Sequence, residues 1–373
     1  MHTRKLKPTF RSLLGTIIAG AFVLAVPTSA YALVVTTATV NFSNSASVSD
    51  VEGGSATTNN NASLGTSSLA QFDSNLGVLT GATLNVNSTR QQTVSVTSTD
   101  GENTGANSNG TTTGIGSSSA RITAAGVSST LSSINLTDSC TANRRGACND
   151  GSTTSVTITN LNAVVAGSSL DSYVGSGLVG VTRSAPSLSA TQQTSLFTGT
   201  ESTAYSVTWA GSLAMTYDYL LHAAASFDAG LTQLTLNLDF GTFYVGDLPT
   251  LGFSLSNHAG ERVGLDLTGV SGSGDTDKLS TDLDLFQSLL AGDSLDYLAL
   301  FDTSSAGSFA ASYLLSLSDA AVGAASSRFA YTMTLNLTGT VLDRPATLDV
   351  PEPGSLALLG AGLFALAGLR RRS

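Results

Sequence analysis

The residues of this 373-residue chain from which chemistry could be built are few: two cysteines, three histidines, one tryptophan and 26 carboxylates. Cys140 and Cys148 stand in a stretch rich in Thr, Asn, Arg and Gly. No further Cys or nearby His completes a zinc set, which wants four N or S donors. The pair therefore reads as a disulfide, whose short loop would be worth about 2–3 kcal/mol. Arg144 and Arg145 lie between the two cysteines, the densest positive spot outside the termini. They form either a solvated tip or a contact for an acidic polysaccharide. His2 belongs to the N-terminal segment, which leaves His222 and His258. There is no Gly-x-Ser-x-Gly elbow to raise a nucleophile, and no catalytic residue is nominated. A cleft setting either histidine against a carboxylate would favour an unrecognised hydrolase. Asp275 and Asp277, followed by Asp282 and Asp284, offer hard oxygen ligands of the kind calcium takes. Their order is not that of an EF-hand, and a solvated acidic loop is the alternative. Calcium at Asp275 and Asp277 is the only cofactor this pattern suggests. Trp209 reads as a core plug near a strand start.

The elements that would carry these residues are strands. Leu234, Leu236, Leu238 and Phe240 alternate with polar residues, as do Leu213, Met215, Tyr217 and Tyr219, then Leu335 and Leu337, and Val156 and Ile158. A period of two puts one face of a strand on a core and the other in water. Gly, Asn, Ser and Asp clusters separate the runs, as turns do. Short strands divided in this way predict an all-β fold of two sandwich domains, Ig-like or jelly-roll-like. Helical signals are sparse: two turns over 283–290 behind a capping Asp282, and a weaker stretch over 61–69. Residues 50–61 and 99–119 contain little that is apolar and read as long surface loops. Six Asn-x-Ser/Thr sequons, at Asn41, Asn61, Asn87, Asn109, Asn135 and Asn336, mark exposure more than modification.

Composition excludes several classes. Charged residues are 11% of the chain, and the net charge is −10. Lysine occurs only at 5, 7 and 278, so no basic patch exists for phosphate contacts and a nucleic-acid partner is excluded. Apolar runs occur only near the two ends, which excludes a polytopic membrane protein.

At the N-terminal end, Arg4, Lys5, Lys7 and Arg11 precede an apolar core from Leu13 to Val26. That core is short for a span of about 20 residues. Pro27 breaks it, and Ala30-Tyr31-Ala32 supplies small residues at −3 and −1. Residues 1–32 are expected to be a signal peptide cleaved between Ala32 and Leu33. An uncleaved anchor is the alternative. At the other end, Val350-Pro351-Glu352-Pro353 leads into an apolar stretch, 354–369, and then Arg370, Arg371 and Arg372. As a helix that stretch rises about 24 Å, short of the ~30 Å hydrocarbon core. The arginines satisfy the positive-inside rule, and the prolines keep the motif extended. This segment, 346–373, resembles the PEP-CTERM sorting signal of Gram-negative bacteria. An ordinary tail anchor is the alternative. The resemblance implies export through the Sec translocon and signal peptidase, brief inner-membrane anchoring by a single transmembrane helix, and processing by exosortase. Delivery to the cell surface or extracellular matrix would follow. Over residues 33–350 nine bases face 25 acids, a net of −16.

The stretch Leu69-Ala70-Gln71-Phe72-Asp73-Ser74-Asn75-Leu76-Gly77-Val78-Leu79, running on to Leu84, is similar to the choice-of-anchor E domain, with Ala70 in place of the family's proline. The likeness continues over 171–177 and 213–219 and implies a secreted β domain over 33–220 with no enzymatic activity. Residues 240–247 and 251–257 resemble Ig-like modules of secreted bacterial proteins, which implies a second sandwich over 221–345. The role expected is structural or adhesive, with extracellular polysaccharide as partner. Calcium-assisted carbohydrate binding is the alternative, and a secreted hydrolase the third reading.

Overall fold

The computed structural model describes residues 32–51, 57–99, 110–142, 146–149, 152–195, 200–345 and 358–363. It is predominantly β. In chain order the strands are β1 (Leu33–Thr36), β2 (Val40–Val51), β3 (Thr57–Ala70), β4 (Val78–Thr99), β5 (Gly110–Ala124), β6 (Val127–Ala142), β7 (Ala147–Asn149), β8 (Thr153–Ile158), β9 (Leu161–Val164), β10 (Leu178–Ser195) and β11 (Thr200–Leu220). They continue as β12 (Ala225–Ser226), β13 (Thr235–Tyr244), β14 (Thr250–Asn257), β15 (Leu265–Gly274), β16 (Leu279–Thr281), β17 (Phe286–Leu289), β18 (Ser294–Phe301), β19 (Gly307–Asp319) and β20 (Ala330–Leu342).

The long strands β4 and β11 pair antiparallel and organise a seven-stranded sheet. β1 and β2 join the far side of β11, and β7, β8 and β9 join β4. A four-stranded sheet, β3-β10-β5-β6, faces it. Leu84, Val86, Val94, Tyr205, Val207, Trp209, Leu213 and Met215 from the first sheet meet Leu64, Ile122, Val181 and Leu188 from the second in one apolar core. In the second half, β12-β14-β18-β16 and β13-β20-β19-β15-β17 form two further sheets around a second core, which contains Phe240, Phe253, Leu255, Phe301, Leu315 and Leu335. β13 joins β20 in parallel. The alternation read over 213–219 and 335–337 holds: Leu213, Met215, Tyr217, Leu335 and Leu337 are buried.

Several expectations are corrected. Residues 110–119 are not a surface loop but most of β5. Their inward face is Gly110, Thr112, Gly114, Gly116 and Ser118, while Ile115 looks outward. A low-hydropathy stretch lies inside because the two sheets approach too closely for larger residues. A Cβ on Gly116 would stand 1.9 Å from Tyr205 Cδ2, and one on Gly114 2.5 Å from Val96 Cγ2. Residues 57–69, read as loop and weak helix, belong to β3 and pair with β10. The helix over 283–290 is absent. Phe286–Leu289 is strand β17, paired with β15, and Asp282 accepts a hydrogen bond from Leu298 N (2.7 Å) rather than capping a helix. Burial of Leu289 in the second core outweighs local helix propensity there. Val156 and Ile158 point to solvent, 63% and 74% exposed. Trp209 lies mid-strand rather than at a strand start. Residues 358–363 are helical. Among the described residues no helix is long and apolar enough to cross a membrane. Residues 1–31, the motif Val350–Pro353, most of 354–369, Arg370–Arg372, Arg144, Arg145 and Asn109 lie outside the described residues.

Candidate functional site

A groove lies on the outer face of the sheet that contains β15, β19, β20 and β13. Period-two patterning sends Leu315, Leu317, Leu335 and Leu337 into the core, so their sequence neighbours must face out. Register then sets these neighbours side by side: Ser273 opposite Ser312, Ser312 opposite Asn336, and Asn336 beside Asn237. They form a hydrogen-bonded row. Asn336 Nδ2 donates to Asn237 Oδ1 (2.8 Å), Ser312 Oγ donates to Asn336 Oδ1 (2.8 Å), and Ser273 Oγ donates to the Ser312 carbonyl (3.3 Å). One step along, Thr338 Oγ1 donates to Asp239 Oδ1 (3.3 Å). Ser273, Gly274, Ala310, Ser312, Asn336 and Thr338 line a groove of about 320 Å³ over this row. Its floor is low because the middle positions are Gly and Ala. Asp275 follows Gly274 beyond this lining, its Oδ2 accepting from Ala310 N (2.9 Å).

The row retains bonding capacity. A hydroxyl has one donor and two acceptor sites, and an amide has two N–H donors. The second Asn336 N–H and the acceptor sites of the hydroxyls remain for a ligand. None of the groove-lining residues is titratable. The groove therefore offers uncharged hydrogen-bonding groups along its lining.

The nominated residues fall elsewhere. Cys140 and Cys148 form a disulfide (Cα–Cα 5.9 Å) that ties β6 of the four-stranded sheet to β7 of the seven-stranded one. Asp275 is a turn-former, its carbonyl accepting from Lys278 N and Leu279 N, and Asp277 is exposed. Among the described residues no three His, Cys, Asp or Glu side chains converge as a metal site. Trp209 is fully buried; its Nε1 donates to Ser88 Oγ (2.9 Å), and its ring meets Phe42 edge-on. His258 Nε2 lies 3.0 Å from the Asp228 carbonyl.

His222 does stand against a carboxylate: Nδ1 lies 2.8 Å from Asp319 Oδ2. Its Nε2, however, lies 2.7 Å from the Ser74 carbonyl. Two acceptors on two nitrogens make both ring N–H groups donors, so no lone pair is left for a general base. Asp319 is fully enclosed and also accepts from Ala223 N (2.9 Å), Phe329 N (2.8 Å) and Tyr331 OH (2.7 Å). Burial alone would favour neutral forms of both groups. The hydrogen bonds overcome it, holding the Asp319 carboxyl below the usual carboxylate range and His222 above the usual imidazole value. Sequence reasoning missed Asp319, Tyr331 and the Asn237–Asn336 pairing. The strand patterns marked Asn237, Asp239, Asn336 and Thr338 as polar positions, but only register makes them a row.

Comparison with known proteins adds one specific match: residues 349–372 match the PEP-CTERM protein-sorting motif. No curated protein matches the chain. Among solved structures, VesB protease of Vibrio cholerae is similar at 13% identity and TM-score 0.21, over 33% of this chain and 36% of that one. The ASH/PapD-like domain 7 of human CEP192 is similar at 11% identity and TM-score 0.21, over 33% of this chain and 87% of that one. Neither likeness carries an argument at that score. The C-terminal match does: the chain bears a PEP-CTERM sorting signal, which marks it as an exported, exosortase-sorted protein.

Proposed function

We propose that the exported protein is a non-enzymatic component of the cell surface or extracellular matrix. It associates with polysaccharide through the groove on β15, β19, β20 and β13. The observation that carries this reading is the Ser273–Ser312–Asn336–Asn237 row, whose bonds cross four strands beneath an open trough. An extended glycan laid along such a row meets donors and acceptors at strand spacing, about 4.8 Å. In this reading residues 33–220 are a choice-of-anchor E-like sandwich and residues 221–345 a second, Ig-like one. The sorting segment holds the chain in the inner membrane only until exosortase acts.

The test is depletion of the purified protein from solution by the native host's exopolysaccharide. Ala310→Phe fills the trough from an outward position and leaves the core untouched. Retention should fall about tenfold, which is ~1.4 kcal/mol of binding. Equal retention of wild type and Ala310→Phe, with both folded, removes the groove from the proposal. Unchanged matrix and adhesion in a deletion strain removes the role itself.

A further inference from the structure

The two halves are not beads on a string. Val78, the first residue of β4, is buried in the second core, and Ala324, from the β19–β20 connection, is buried in the first. Around this exchange the backbone is stitched: Ala324 N donates to the Leu79 carbonyl (2.8 Å), Leu79 N to Ser327 Oγ (3.0 Å), and Ser326 N and Oγ both to Asp171 Oδ1 (2.8 Å). Gly323 makes the approach feasible. Its φ is +57°, and a Cβ there would collide with the Leu79 carbonyl.

At the centre of the seam sits His222, just after β11. One ring nitrogen reaches back to the first half, at the Ser74 carbonyl, and the other reaches forward to Asp319 at the end of β19. Its ring stacks on Phe329 at 4.0 Å and 13°. We propose that His222 is a protonated pin between the two halves, and that loss of one ring proton loosens their junction. The reason is a count of donors. Both partners are pure acceptors, a carboxylate and a carbonyl, so a neutral ring with a single N–H must abandon one of them. Whichever it abandons, a lone pair then faces an oxygen. If it is Asp319, an enclosed carboxylate also loses its nearest positive charge, and a buried unpaired charge is costly.

The charged and titratable groups around the ring are consistent with this. Asp319 from β19 faces it directly, and Tyr331 from β20 donates to that carboxylate. Arg262, from the β14–β15 connection, donates to the His222 carbonyl (2.9 Å) and opposes the ring charge only as a secondary influence. Asp73, beside Ser74, has its side chain turned to Asn75. The folded-state proton affinity of His222 is raised, so the pin holds fully below its unfolded value near 6.5. It is lost as pH rises through the higher folded value. The exported protein would thus have a firm junction below the unfolded value and a looser one above the raised folded value.

Two measurements on the full exported chain test this. His222 and His258 are the only histidines beyond the N-terminal segment, so ring-nitrogen NMR resolves them. His222 is expected to show two protonated nitrogens at pH 6.5, where a free imidazole is about half deprotonated; a neutral ring at that pH overturns the proposal. Thermal melting is then followed at pH 6 and pH 9 by Trp209 fluorescence, which reports the first half, and by circular dichroism, which reports both. The two curves are expected to coincide at pH 6 and separate at pH 9, and His222→Gln is expected to separate them already at pH 6. Coincident curves under all three conditions overturn the proposal. Should His222→Gln not fold, the NMR and the wild-type pH comparison decide it.

Discussion

Replacing Gly116 by alanine adds one methyl group to a segment whose composition resembles a surface loop, yet the structure makes it one of the costliest small changes in the chain. The new Cβ would lie 1.9 Å from Tyr205 Cδ2, 2.4 Å from Cγ and 2.5 Å from Cε2. Carbon atoms rest about 3.5–4.0 Å apart, so roughly 1.5 Å or more must be found. Tyr205 cannot swing into solvent, because it is fully buried and its hydroxyl is paired with Ser118 Oγ (3.0 Å). Either the sheets separate or the ring turns and abandons that bond. Overpacking of this kind costs about 1–3 kcal/mol, and the lost hydrogen bond adds about 1. The expected loss is therefore about 3 kcal/mol. Trp209, on the same strand as Tyr205, makes fluorescence in a urea titration the assay. At an m-value of ~1–3 kcal/mol/M the midpoint should fall by about 1 M or more. Gly180→Ala is the control: it lies in β10, faces solvent, and has nothing within 4 Å of its Cβ position. A Gly116→Ala midpoint no lower than that of Gly180→Ala would refute the close packing of β5 on β11.

Three further outcomes are expected. Reducing the Cys140–Cys148 disulfide, or changing both residues to serine, should cost about 2–3 kcal/mol by releasing a short loop in the unfolded chain; matched urea curves with and without reductant check it. Arg183 is buried with its guanidinium 4.0 Å over the Phe42 ring and bonded to Ser67 and Asn44, and among the described residues no carboxylate pairs with it. Arg183→Ala should lose about 3 kcal/mol through a cavity and two stranded polar groups. Arg183→Met should stay within about 1 kcal/mol, because it removes an uncompensated buried charge and keeps the volume, and equal losses for the two would contradict that account. Asp319 gives the acid counterpart of His222. Its folded affinity for a proton is lowered, so its contribution is present above about pH 3.9 and disappears as pH falls through the depressed folded value. Asp319→Asn should cost about 3 kcal/mol at neutral pH and flatten the acid limb of the melting profile.

Where the pattern of side chains was itself the cause of structure, the chain could be read directly. Alternation predicts the strands that contain Leu213, Met215, Tyr217, Leu335 and Leu337, because a period of two has one physical outcome when one face meets a core. The C-terminal Pro-Glu-Pro, apolar stretch and arginines were legible because the sorting motif is a contiguous run of residues, 349–372. The cysteine pair was legible because nothing else in the chain could partner either sulfur.

Elsewhere the decisive quantity was a distance between residues far apart in sequence. β5 looked like a loop because hydropathy measures side-chain transfer, whereas Gly114 and Gly116 are inside for want of space. Val156 and Ile158 have the right alternation and the opposite outcome, since period two identifies the faces of an edge strand without saying which one the neighbouring sheet covers. Asn336 became part of a groove only when β13 joined β20 in parallel and set Asn237 beside it. His222 and Asp319 are 97 residues apart, and no local pattern couples them. The sequence by itself therefore determined the class of the elements and the address on the chain. The tertiary structure decided which polar residues share a groove, and which histidine stands between two acceptors and must keep its proton.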